Sequence, residues 1–453
     1  MKKVAIIGAG ITGLSTAYYL KDHDANIDIY EQTDRVGGKV NTYRQDGYTL
    51  ELGPESYLSR KTIMTELAVD IGMESELVRN EVGLSFIYVN NKLSPLPKGT
   101  MLGVPTELWP FLKTDIVSPV GKLRAGLDLF KPVLKIDKDI TAGDFFRRRL
   151  GDEVLENLIE PLLSGVYGTD IDKLSLMSTF PNFKQQEEQH GGLIKGMIKS
   201  KKSAPKKTSK QGMFFQFKNG LQSFIDRLND AVIENGAHVH LNHTLESVKK
   251  LDEGYELTIN GETNIYDEVI ITTPHFSYKK WFTDAKLDYF KTMPATSVAT
   301  VVFGFNEGDV VNEKEGTGFV VSRNQDTAIT ACTWTSKKWP HSTPDGKVVL
   351  RAYVGRPGDN IVKEKSEEDL AKAAMHDLRQ IMTIKKEPEF TIVTPMVDSM
   401  PNYHLGHKDH VTELESYMEQ EYPGLYLIGA SHYAVGLPDC VKLAKLTAEK
   451  IMN

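Results

Sequence analysis

The chain has 453 residues, enough for roughly three domain-sized units and a large buried core. Apolar residues make up 40% and charged residues 25%, the balance of an ordinary globular protein. A net charge of −7 argues against nucleic acid as the main partner.

Lys3-Val4-Ala5-Ile6-Ile7 reads as a buried strand and runs into Gly8-Ala9-Gly10-Ile11-Thr12-Gly13. An amphipathic helix follows, then a second strand, Ile27-Asp28-Ile29-Tyr30-Glu31. Gly8 permits the tight turn, Gly10 lets the backbone approach a pyrophosphate, and Gly13 lets helix and strand meet closely. The free N–H groups at the helix start attract phosphate. Glu31, 18 residues past Gly13, is placed to accept from a ribose hydroxyl. This is a dinucleotide site by spacing and by context.

Arg35-Val36-Gly37-Gly38-Lys39 discriminates further, because a plain nicotinamide dehydrogenase needs no second glycine pair there. The run resembles flavoproteins of the amine-oxidase type, in which the chain crosses the pyrophosphate again with a basic side chain facing it. Leu50-Glu51-Leu52-Gly53-Pro54-Glu55-Ser56 returns glycine and proline after a short strand. Residues 61–72 are predicted as a helix, with Ile63, Leu67 and Ile71 on one face, and Asn90-Asn91 as the turn of a hairpin.

From 99 to 135, large apolar residues such as Trp109, Leu112, Leu123 and Phe130 alternate with lysines and prolines. They are predicted as short amphipathic helices of a helical subdomain capping a pocket, with a membrane-touching surface as the alternative. Residues 142–163 carry a strong helical pattern. The lysine-rich stretch 199–210 reads as a mobile solvated loop, or alternatively as a docking patch for an acidic partner.

The α/β pattern then returns: a helix over 221–235 ending at Gly236, a strand over 237–241, and two or three hairpin strands between 245 and 274. Residues 298–394 alternate as in an antiparallel sheet, a plausible substrate domain. Leu425–Ser431 is a short buried strand ending in Gly429, followed by Val435-Gly436-Leu437-Pro438-Asp439-Cys440 and a C-terminal helix. Cys332 and Cys440 are too few and too far apart for a metal cluster or a disulfide framework, so a reduced cytoplasmic setting is expected. No apolar run approaches the 18 or so residues that span a bilayer, and no cleavable leader is read at the start.

The block Glu160-Pro161-Leu162-Leu163-Ser164-Gly165-Val166-Tyr167-Gly168-Thr169-Asp170-Ile171-Asp172-Lys173-Leu174-Ser175 resembles the protoporphyrinogen/coproporphyrinogen oxidase family. So do Gly53-Pro54-Glu55-Ser56, Met400-Pro401-Asn402-Tyr403-His404 and Gly436-Leu437-Pro438-Asp439-Cys440, and the likeness is closest to the coproporphyrin-forming type of Gram-positive bacteria. The resemblance covers essentially the whole chain.

It implies a mixed α/β and α+β architecture: an FAD-binding Rossmann-type domain of the amine-oxidase/GDI class (1–60, 211–285, 406–453), a mixed-sheet substrate domain (61–98, 286–405) and a helical cap (99–210). It implies non-covalent FAD, a six-electron oxidation of a porphyrinogen by oxygen with hydrogen peroxide as by-product, and product hand-over to a ferrochelatase. It assigns to the FAD site Gly8, Ala9, Gly10, Ile11, Thr12, Gly13, Glu31, Gln32, Arg35, Gly38, Lys39, Gly53, Pro54, Glu55 and Ser56. The backbone at Val248, and Gly429, Ala434, Val435 and Gly436, complete that set with Met396. Met396 departs from the pattern, since many flavin oxidases of this class carry tryptophan there.

No acid–base pair is needed when a flavin accepts the hydride. His190, His275, His404 and His432 are accordingly expected to be structural or superficial, with His432 of most interest beside the terminal motif. Four substrate propionates call for positive charge, and Lys61 followed by Arg60 are the candidates, ordinary surface charges being the alternative. Protoporphyrinogen IX oxidation, another flavin amine oxidase or desaturase, and a flavin-free escort of prenylated GTPases are the competing functions. Retention of all the close-approach glycines argues against the last.

Overall fold

The computed structural model describes residues 1–135, 138–203, 211–433 and 435–453, the side chains of Ser164 and Val166 aside. The chain divides into two units: Met1–Asn80, Gly212–Met293 and Lys408–Asn453 form the first, Glu81–Gln211 and Pro294–His407 the second.

The first unit is built on β1 (Lys2–Ile7), α1 (Ile11–Tyr19), β2 (Ala25–Tyr30), α2 (Leu221–Glu234), β3 (His238–His240), β4 (Glu268–Ile271), β5 (Leu425–Leu427) and α3 (Leu437–Met452). The five strands are all parallel in the order β3-β2-β1-β4-β5. Period-2 alternation sorts their side chains. Val4, Ile6, Ile27 and Ile29 join Leu14 of α1, Leu228 of α2 and Val441 of α3 in one core. Ala5, Ile7, Val269 and Ile271 face the opposite way, onto Tyr255, Leu257 and Ile259 of a three-stranded antiparallel sheet. Such strands read as near-continuous apolar runs because both faces are covered. Ligands of this doubly wound plan bind beyond the carboxyl ends of the strands, where the order reverses between β1 and β4.

In the second unit a seven-stranded sheet runs in the order Phe390–Pro401, Ala295–Asn306, Lys347–Val354, Ile329–Trp334, Gly316–Val321, Leu84–Val89, Lys92–Pro95. Every neighbouring pair is antiparallel except Gly316–Val321 with Leu84–Val89. The helix Glu367–Ile381 covers one face through Leu370, Ala374 and Leu378. The expected hairpin turn is present, with Asn90 and Asn91 at φ 51° and 57° as a two-residue turn of this hand requires.

Several boundaries differ from expectation for identifiable reasons. Residues 61–80, assigned to the substrate domain from the sequence, lie in the first unit because Tyr57–Leu58, Phe214–Phe217 and Leu77–Arg79 form one sheet. The predicted helix over 142–163 is two helical segments, Ala142–Leu150 and Asp152–Tyr167, broken where Gly151 takes φ 88°. The second segment contains a π turn over Leu155–Ile159. The region from 99 opens on a ribbon, Thr100–Met101 against Val104–Pro105, before its helices begin. Lys199–Ser203, expected in a loop, continue the helix Leu193–Ser203, and Lys201 pairs with Glu107. Residues 204–210 of that stretch lie outside the described residues.

Candidate functional site

At the carboxyl end of β1 the chain turns at Gly8, whose φ of 104° favours glycine, and enters α1 at Gly10. Close approach explains the spacing. A Cβ on Gly13 would sit 1.9 Å from Gly8 O, so helix and strand touch backbone to backbone. A Cβ on Gly10 would meet nothing within 4 Å. Gly13 is therefore needed by the protein, whereas the space over Gly10 is open for a ligand.

The second glycine loop closes on the first. Gly37 N–H donates to Ala9 O at 2.9 Å, Gly10 and Gly37 form an isolated bridge, and a Cβ on Gly38 would lie 3.5 Å from Gly10 Cα. Gly53 is pressed onto the same loop, its Cβ position only 1.8 Å from Lys39 O. Gly429, at φ 119°, comes off β5 with its Cβ position 3.2 Å from Thr272 O. The loop segments thus converge at one end of the parallel sheet and leave room over Gly10. That cradle fits a dinucleotide pyrophosphate.

Glu31 directly follows β2 and is buried, its Oε2 accepting from Ala9 N–H at 3.0 Å. Its Oε1 accepts from Thr33 N–H at 3.0 Å and Thr33 Oγ1 at 2.9 Å. A carboxylate offers about four acceptor positions, so about one is left for a ribose hydroxyl. The Arg35 guanidinium, expected to face phosphate, instead donates to the carbonyls of Gly38 at 2.8 Å and Val40 at 2.9 Å and stiffens the loop. The Lys39 side chain reaches solvent, yet the protein packed around it pushes its ammonium below the ordinary lysine range.

Cys440 lies buried in the first turn of α3 near Thr12 and Lys39. Burial pushes its thiol up to about 11, against the pull of the Thr12 hydrogen bond and the Lys39 charge. At neutral pH this burial favours the thiol over the thiolate.

Lys61 Nζ lies 2.5 and 2.7 Å from the two carboxylate oxygens of Asp439, in the first turn of α3. The cation expected to meet substrate is thus compensated within the protein. Arg60 is exposed and makes no hydrogen bond or ion pair among the described residues. Val248 sits half-buried on the strand Leu245–Lys250, and Gln32 is exposed just after β2. Pro54, Glu55 and Ser56 follow Gly53, with Glu55 O accepting from Gln216 Nε2 at 2.9 Å. Ile11 and Thr12 are buried in α1, and Val435 and Gly436 precede α3. Met396 is on the second unit's edge strand, in register with Val298, and Ala434 lies outside the described residues.

Sequence reasoning missed three supports. Thr272 Oγ1 donates to Ile7 O at 2.9 Å, at the turn into the first glycine loop. Asp439 was visible in its motif, but an acid in a helix's first turn is already accounted for by the helix dipole, so its pairing with Lys61 left no local signal. The third is a clamp of His275 on Ser431, which no local pattern shows.

Comparison with known proteins agrees with this geometry. The family described as flavin containing amine oxidoreductase matches residues 11–452. A Staphylococcus aureus protein named coproporphyrinogen III oxidase is 53% identical, over 100% of this chain and 99% of its own. A Bacillus subtilis protein of the same name is 45% identical, over 98% and 96%. A crystal structure from Exiguobacterium sp., carrying the name protoporphyrinogen oxidase, superposes with a TM-score of 0.91 at 38% identity, covering 100% of this chain and 98% of that one.

Proposed function

The chain belongs to the flavin containing amine oxidoreductases, FAD-dependent enzymes, and from that premise we propose that it oxidises coproporphyrinogen III to coproporphyrin III in haem biosynthesis. The observation that carries this reading is full-length identity of 53% to a protein of that name, with every close-approach glycine of the cradle in place. Bound FAD supplies a two-electron acceptor that oxygen restores, so six electrons leave the macrocycle in three rounds and three oxygen molecules become hydrogen peroxide.

The protein's part is positional. The Gly8–Gly13 loop offers backbone N–H groups to the pyrophosphate, and Glu31 offers a carboxylate oxygen to the ribose. Gly37, Gly38 and Gly53 let the backbone close around that space. Of the two cations proposed for the substrate propionates, Arg60 carries the role, because the Lys61 charge is committed to Asp439.

No helix among the described residues is long and apolar enough to cross a membrane. We place the enzyme in the cytoplasm with a peripheral contact through the helices at 108–130. There Trp109, Leu123 and Phe130 are 67%, 73% and 85% exposed beside Lys113 and Lys122. Hand-over of the product to a ferrochelatase completes the reading.

The test is an aerobic assay of FAD-loaded protein with coproporphyrinogen III and protoporphyrinogen IX offered separately, following porphyrin fluorescence. Much faster appearance of coproporphyrin is expected. Preference for protoporphyrinogen moves the enzyme to the other substrate, a reading favoured by the name of the Exiguobacterium relative. Oxidation of neither by yellow protein overturns the porphyrinogen reading.

A further inference from the structure

After β4 the chain passes Thr272-Thr273-Pro274 into a short 3-10 helix beginning at His275, which is buried at 2% exposure. Two hydrogen bonds hold its ring and a third holds its backbone N–H. Its Nε2 lies 2.8 Å from Met293 O, and a carbonyl only accepts, so Nε2 carries the proton. Its Nδ1 then accepts from Ser431 Oγ–H at 2.9 Å. The same Ser431 Oγ accepts from His275 backbone N–H at 3.1 Å. The set is self-consistent for one neutral tautomer.

The two ends of this clamp are not equivalent. Ser431 follows two residues after Gly429, in the loop that leads from β5 to α3. Met293 is the last residue of the first unit before the chain enters the second. A second bolt lies alongside. His432 Nε2 pairs with Tyr278 OH at 2.9 Å, and its ring stacks on Phe290 with centroids 5.0 Å apart and planes 19° from parallel. Burial pushes the Tyr278 hydroxyl up, so it stays a phenol and donates. The loop after β5 is thereby fastened to the segment 275–293 by adjacent residues with different chemistry.

We propose that His275 is a positioning residue that couples occupancy of the FAD site to the order of the exit segment Leu287–Met293. This rests on reading the Gly429–Gly436 loop as part of the flavin site. Ligand contacts that hold Gly429 and its neighbours restrain Ser431, the Ser431 hydroxyl restrains the His275 ring, and the ring holds Met293 O through Nε2–H. FAD loading of the first unit then orders the strap by which the chain leaves it.

The test is hydrogen–deuterium exchange of the full chain, apo and FAD-loaded, with visible flavin absorbance recorded on the same samples. In the wild type, FAD is expected to slow exchange several-fold in peptides covering 287–293 as well as in the glycine loops. His275→Leu removes both the donor to Met293 O and the acceptor for Ser431. It is expected to remain yellow, keep FAD protection at 8–13, and lose a measurable part of it at 287–293, the His432–Phe290 stack being left in place. Ser431→Ala removes the same link from the other side and should give the same pattern, which covers the case of a His275 variant that does not fold. Unchanged exchange at 287–293 on FAD loading of the wild type, or full protection there in both variants, overturns the coupling while the flavin reading stands. A wild type that stays colourless with FAD overturns both.

Discussion

Gly10 and Gly13 stand three residues apart and resist substitution for opposite reasons, so their alanine variants should fail differently. At Gly13 the new Cβ would lie 1.9 Å from Gly8 O and 3.1 Å from Gly8 C, well inside an ordinary contact of about 3.5 Å. Neither atom belongs to a side chain that can rotate away, so α1 must lift off β1. Overpacking of this kind costs typically 1–3 kcal/mol, and a backbone clash belongs at or above the top of that range, about 3 kcal/mol. Gly10 is extended, at φ −75° and ψ 179°, with open space around its Cβ position. There alanine costs up to about 1 kcal/mol as a helix N-cap and regains about 0.4–1 kcal/mol from the unfolded chain, so apo stability should be nearly unchanged. A phosphate oxygen accepting at about 2.9 Å from the loop cannot share that space with a methyl group, and FAD affinity should fall at least about 100-fold, or 2.7 kcal/mol. The assays are urea unfolding of apoprotein and flavin fluorescence titration. Gly10→Ala binding FAD like the wild type would refute the assignment of the open space to the pyrophosphate, and an unperturbed Gly13→Ala would refute the contact geometry.

Glu160 follows the π turn, 7% exposed, and burial raises its carboxyl to about 7 despite Arg323 Nε at 3.2 Å, with Asp170, Asp172 and Glu156 adding repulsion. A raised carboxyl favours the protonated folded state, so stability should fall as pH rises from about 4.5 to about 7, by up to about 3 kcal/mol, and stay level above. Glu160→Gln should flatten that slope in urea melts taken across the range, and an unchanged slope counts against the buried carboxylate as its source. Arg60→Met should raise KM for coproporphyrinogen at least about 10-fold with flavin content intact, as one lost charge-assisted contact of about 1.5 kcal/mol or more implies; an unchanged KM removes Arg60 from the substrate site. Lys61→Met and Asp439→Asn should each weaken FAD retention by roughly 2–5-fold, with the double variant no worse than either, since an exposed pair is worth up to about 1 kcal/mol. A Lys61→Met effect confined to KM would instead return Lys61 to the substrate. Trp109→Ser with Phe130→Ser should abolish sedimentation with anionic phospholipid vesicles, and undiminished binding would move the membrane contact elsewhere.

The parts of this protein that were legible in the sequence are those whose cause is local. Strand β1 shows because an interior parallel strand must be apolar on both faces, and Val4 through Ile7 are. Gly8, Gly10 and Gly13 show because three different demands fall within one turn, a positive φ at Gly8, open space over Gly10 and a backbone contact at Gly13, and together they leave a fixed spacing. The Asn90-Asn91 turn shows because two successive positive φ values restrict residue choice. Helix ends were less legible: Gly151 breaks a pattern that apolar periodicity carries straight through, and the lysines at 199–202 extend a helix whose buried face ends at Met197.

Charge compensation was the least legible property, because it depends on partners that the fold supplies from far along the chain. Lys61 looks like a cation awaiting a substrate until Asp439, 378 residues later, is found against it. Arg35 looks like a phosphate ligand until its guanidinium is seen gripping the carbonyls of its own loop. The same holds for Arg149, fully buried between Asp128 and Glu187, with Lys184 on the far oxygen of Glu187. Arg149 and Lys184 look in sequence like surface charges, and desolvation makes each costly unless its partner is present. A flavoenzyme acting on a polyanion therefore cannot have its substrate cations chosen by sign and proximity to a motif. The relevant cations are those left over after the protein's own carboxylates and carbonyls have taken theirs, and near the glycine cradle that subtraction favours Arg60 over Lys61.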